Sequence, residues 1–216
     1  MKNIYTLFKK ELLIEFRLQY SFFGVLLYVM ATTFVLFLAV SKPEKQVWIG
    51  MYWIIQLFAS VNAVAKSFIQ YNKGRMLYYY TITSPVHFIA AKLLYNALLM
   101  IVISMVSWVI VQLLLGSPVQ QPLLFVCISI LGSVSFGLLF TMLSAIVAKA
   151  QQNAALLAIL GFPLIIPLLL VVMKVSNVAM AYSSTVFPTQ LIAILLGYNV
   201  LIIALSVVLY PILWKD

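Results

Sequence analysis

Along the chain, uncharged apolar runs alternate with short segments that hold all the charge. The runs fall at residues 20–40, 47–65, 93–115, 123–148, 154–173 and 191–214. Each has 19 to 26 residues, and about 20 suffice to cross a bilayer as helix. Backbone groups inside hydrocarbon have no water to bond, so each run is predicted to be a membrane-spanning helix. Six spans leave three other stretches: residues 1–19, a long segment at 66–92, and a second at 174–190.

Residues 2–19 follow a helical period of about 100° per residue. Lys2, Asn3, Thr6, Lys9, Lys10 and Arg17 share one sector, while Ile4, Leu7, Phe8, Leu12, Ile14, Phe16 and Leu18 take the other. Leu13 is the misfit. The pattern predicts an amphipathic helix lying in the membrane surface. Glu11 and Glu15 project from its apolar side, where a carboxylate is costly unless paired. Two readings are open: both snorkel to water, or both meet cations of the 66–92 segment.

Composition excludes the soluble classes. The 216 residues are 65% hydrophobic and only 8% charged, and mean hydropathy is +1.15. A soluble domain of this size carries about 25% charged residues. Six spans fill the chain as one domain, with no room for a catalytic one. The expectation is an all-α integral membrane protein that is not an enzyme. The net charge of +9 has a membrane explanation rather than a nucleic-acid one. With both termini cytoplasmic, ten of the thirteen cations lie inside and only Lys42, Lys45 and Lys174 lie outside, as the positive-inside rule favours. Trp48, Tyr52 and Trp53 then fall at the outer interface and Tyr210 and Trp214 at the inner one, where an aromatic belt is expected. Charges recurring through residue 17 argue against a secretory signal. One cysteine, Cys127, excludes an intrachain disulfide and a multi-cysteine metal site.

Local chemistry narrows the reading. The 66–92 segment interleaves Phe68, Tyr71, Leu77 and Tyr78 with Lys73 and Arg75, around Gly74, and ends at Ser84-Pro85. Aromatic anchors flanked by cations suit docking of another protein; an interfacial anchor accounts for the same pattern. In the fourth run, Ser129, Ser133, Gly137, Thr141 and Ala145 recur every four residues, a stripe that lets a second helix approach closely, within the chain or between copies. Gly161, Pro163 and Pro167 predict a bent or broken fifth span, hinged or re-entrant in its outer half. No phosphate-cradling Gly-Lys-Ser/Thr loop is present. No Lys, Arg, Asp, Glu or His lies within the predicted spans, so coupling by buried ionisable groups is not expected. A transporter built this way is driven from outside.

Three stretches resemble a known family. They are Lys10-Glu11-Leu12-Leu13-Ile14-Glu15-Phe16-Arg17, the run from Phe68 through Gly74, Leu77, Ser84-Pro85 and Lys92, and the proline-paired Leu156 to Leu169. Together with length and layout they resemble the ABC-2-type permeases, and within them the CcmB family, the membrane subunit of the haem exporter of cytochrome c maturation. The resemblance implies a bacterial inner-membrane permease working with an ABC ATPase (CcmA-like) docked under Phe68, Lys73, Gly74, Arg75, Leu77, Tyr78 and Pro85. It also implies a second permease copy, a haem-handling membrane subunit (CcmC-like), a small companion (CcmD-like) and a periplasmic haem chaperone (CcmE-like). Haem would be a ligand of the complex, not a cofactor of this chain. Where the family often has acidic residues in the inner loop, this chain has Gln70, Tyr71, Asn72 and Lys73, so contacts assigned to those carboxylates do not carry over. Two alternatives stand beside it: an ABC-2 permease for another lipid or a polysaccharide, and a non-transporting membrane scaffold.

Overall fold

The computed structural model describes residues 2–18, 20–40, 42–64, 83–149, 154–181 and 188–215. Among them are seven helices and no strand: α1 Lys2–Leu18, α2 Tyr20–Ala39, α3 Lys45–Val64, α4 Pro85–Leu115, α5 Pro122–Lys149, α6 Ala154–Ala179 and α7 Thr189–Lys215. The six from α2 to α7 are long and apolar enough to cross a membrane. The amphipathic α1 follows its sequence pattern: Phe8 and Leu12 pack on the core, while Thr6, Lys9, Arg17 and the misfit Leu13 are exposed.

Short turns reverse the chain between successive spans, so the loops gather at two ends. The far end holds the α2–α3, α4–α5 and α6–α7 turns; the terminal end holds α1 and the start of α4. Helix α5 is central and touches α3, α4, α6 and α7. Of its span, 61% is buried, against 17% for α2, which lies on the rim. Helix α4 is the second hub, contacting α1, α2, α3, α5 and α7.

Two helix limits and one burial pattern differ from the sequence expectation. Helix α4 starts at Pro85 instead of residue 93, so residues 85–92 belong to the helix and not to the 66–92 segment. Pro85 occupies the first helical position, where its missing N–H costs nothing, and Lys92 is accommodated because it is paired. Helix α6 runs to Ala179, six residues beyond the expected limit, and carries Lys174 exposed on its flank. Neither Lys92 nor Lys174 is therefore outside the helices. Trp48, Tyr52 and Trp53 form no belt: all three are fully buried, and Tyr210 is 4% exposed.

The three aromatics instead build the core of the far end. Trp48 stacks on Tyr52 with ring centroids 5.7 Å apart, and Phe125 of α5 meets both edge-on. Hydrogen bonds tie this cluster outward. Trp48 Nε1 donates to the Gly116 carbonyl at 3.0 Å and Lys45 Nζ to the Met180 carbonyl at 3.2 Å. The Gln120 and Gln121 amides both donate to the Ala179 carbonyl. These bonds close α3, α5, α6 and the α4–α5 turn into one block.

Candidate functional site

At the terminal end, α4 is built for attachment at its first two turns. Ser84 caps it with extended backbone, and its hydroxyl lies 2.6 Å from Nδ1 of His87. Phe88 stacks on Tyr210 of α7 at 5.9 Å. Lys92 is 3% exposed and donates to Glu11 Oε2 of α1 at 2.8 Å, while Glu11 Oε1 takes Lys10 Nζ at 3.2 Å. The apolar-side carboxylate at position 11 thus meets a cation from the stretch read as loop, which is here helix. Arg17 is exposed; the Glu15 side chain lies outside the described residues, as do Phe68, Lys73, Gly74, Arg75, Leu77 and Tyr78. Pro85 is the one residue of that predicted coupling set with a described position.

The small-residue stripe on α5 is buried inside the chain. The Ser129 hydroxyl pairs with Tyr52 of α3, and Gln56 Nε2 donates to the same tyrosine oxygen at 3.0 Å. A Cβ on Gly137 would sit 2.6 Å from Met100 Cγ of α4. Thr141 accepts from Asn96 Nδ2 at 2.8 Å and donates to the Gly137 carbonyl. Ser133 and Ala145 are buried. In lipid, such close approach supplies the van der Waals contact that holds helices together. Gln56 Oε1, Asn96 Oδ1 and the Ser133 hydroxyl have no partner among the described residues. These groups are neutral; the seam offers amides and hydroxyls rather than proton carriers.

Sequence reasoning missed the tightest approach. A Cβ on Gly132 would sit 2.7 Å from Trp53 Cζ3 and 3.0 Å from Val172 Cγ1 of α6, and Trp53 Nε1 donates to Ser176 of α6 at 2.9 Å. Gly132 lies off the four-residue stripe, and only the fold brings Trp53 to it.

Helix α6 continues unbroken through Pro163 and Pro167, so the break and the re-entrant outer half are not found. The two prolines lie in its first half, toward the terminal end. Each lacks an N–H for the carbonyl four residues earlier, at Ile159 and Pro163. Tyr198 of α7 donates to the adjacent Leu164 carbonyl at 2.7 Å. Gly161 is buried, with room for a Cβ only 3.2 Å from Leu143 Cδ1.

An apolar groove between α5 and α7 is lined by Leu123, Leu124, Cys127, Ile128, Leu131 and Ile192. Among the described residues, no three His, Cys, Asp or Glu side chains come together as a metal site would need. No curated protein and no solved structure matches the chain. A family model described as "CcmB protein" matches residues 2–211. Six apolar helices, a neutral buried seam and a match over nearly the whole length lead to one conclusion: the chain belongs to the CcmB family.

Proposed function

We propose that the chain is the membrane-spanning permease subunit of an ATP-driven complex that exports haem, or releases a haem-loaded chaperone, during cytochrome c maturation. The family match over residues 2–211 carries this reading. The absence of acidic residues from the seam of α3, α4 and α5 among the described residues supports it, since a transporter without internal coupling groups is driven by a partner. ATP hydrolysis resides in that partner, which docks at the terminal end beneath residues 66–85, with Phe68, Leu77 and Tyr78 as anchors and Lys73 and Arg75 setting orientation around Gly74. The terminal end faces the cytoplasm of a bacterial inner membrane, as the distribution of cations favours. Haem-handling and companion subunits, a periplasmic chaperone and a second permease copy complete the assembly. Gly161, Pro163 and Pro167 give α6 a compliant stretch within it.

The closed far end bears on the route. With Trp48, Tyr52 and Trp53 fully buried, the core of a single copy gives haem no wide path. Cargo passes along a face of the bundle or between two copies. The test uses the wild-type chain with an ATPase that binds but does not hydrolyse ATP. Permease function predicts that the complex assembles and cytochrome c fails to mature. Normal maturation would favour the scaffold.

A further inference from the structure

Glu11 holds two cations in different surroundings. Lys92 is 3% exposed, whereas the Lys10 side chain is 30% exposed. The pair with Lys92 is not needed merely to fasten α1 to α4. Well-packed apolar residues hold two helices at least as firmly, because burying two charges sacrifices their hydration. What charges add is a contact with two definite states. When docked, Glu11 bridges Lys10 and Lys92. When separated, each charge has to reach water, and Glu11 already touches a cation at the solvent edge.

Lys92 is placed to make that exchange. Counting back from Leu115 at about 1.5 Å per residue, about 30 Å of hydrocarbon ends near residue 95. Lys92 therefore sits at interface depth, two turns beyond Pro85, on a helix that is continuous from there to the far end. A displacement of the segment before Pro85 moves Lys92 as part of a rigid helix. The same turns carry Phe88 against Tyr210, so α7 feels the motion too.

We infer that the Glu11–Lys92 pair is a two-position latch that passes movement of the segment before Pro85 to α1. This deepens the permease reading and rests on it. Both are positioning residues, acting through helices and not on cargo.

The test compares full complexes in native membranes. They carry the wild-type chain, the neutral double Glu11→Gln/Lys92→Met, or the exchange Glu11→Lys/Lys92→Glu. The neutral double should insert and co-purify with the ATPase in wild-type amounts, while mature cytochrome c formed per ATP hydrolysed falls about tenfold. The exchange, which again sets one carboxylate between two cations, should recover to within about threefold of wild type. An unchanged ratio in the neutral double overturns the latch, as does an assembled exchange no better than the neutral double. A neutral double that fails to assemble overturns it too, because the charges then serve the fold. If cytochrome c matures with a hydrolysis-deficient ATPase, the permease reading falls and the latch with it. ATP dependence with an insensitive neutral double removes the latch alone.

Discussion

At the scale of single residues, what an aromatic or a glycine does depends on its neighbour. Trp48 and Trp53 have an apolar body and one N–H, which suits a membrane interface and a buried bonded site equally. Their bonds to Gly116 and Ser176 place them in the second, and nothing near them in sequence distinguishes the two. The glycines divide likewise. Gly137 was legible from its four-residue stripe, while Gly132 faces a rigid indole that the sequence does not put beside it. The consequence is measurable. Gly132→Ala should destabilise the protein by about 1–3 kcal/mol, since neither the Trp53 ring nor Val172 can give way cheaply. Gly137→Ala should cost less, because Met100 is flexible. Thermal unfolding of the purified protein in detergent orders the two; the reverse order would contradict the contact assignment.

At the scale of elements, the spans themselves were legible because hydrocarbon tolerates few alternatives to a long apolar helix. Their limits were not. Lys92 looked like a stop signal, yet α4 runs through it because Glu11, 81 residues earlier, supplies the counter-charge. The prolines of α6 looked like a break. The helix persists, with the Tyr198 hydroxyl donating beside the weakened turn. Interhelical hydrogen bonds in lipid average about 0.6 kcal/mol, so Tyr198→Phe should lower stability by about 0.5–1.5 kcal/mol. Amide exchange at Leu164–Leu168 should quicken, as read by mass spectrometry. Unchanged exchange there would show that the hydroxyl does not brace the bend.

At the scale of the whole molecule, the account orients the bundle and assigns each end a task. Impermeant thiol reagents should reach cysteines placed at Lys45, Gly116 and Ala181 from outside, and at Lys149 only from inside. Ala181 is the right third probe because Lys174 lies within α6. Labelling of Ala181→Cys only from inside would overturn the orientation. Drive from the cytoplasmic end is the central claim, and Phe68→Ala with Leu77→Ala tests it most directly. Buried apolar anchors carry most of a docking contact, often 2 kcal/mol or more each, on the order of thirtyfold in affinity. The measurement is ATP hydrolysis by the purified complex, with and without the haem-loaded chaperone. The account predicts that the variant inserts normally but loses the ATPase, or keeps it without stimulation. An intact complex with wild-type stimulated hydrolysis would contradict it.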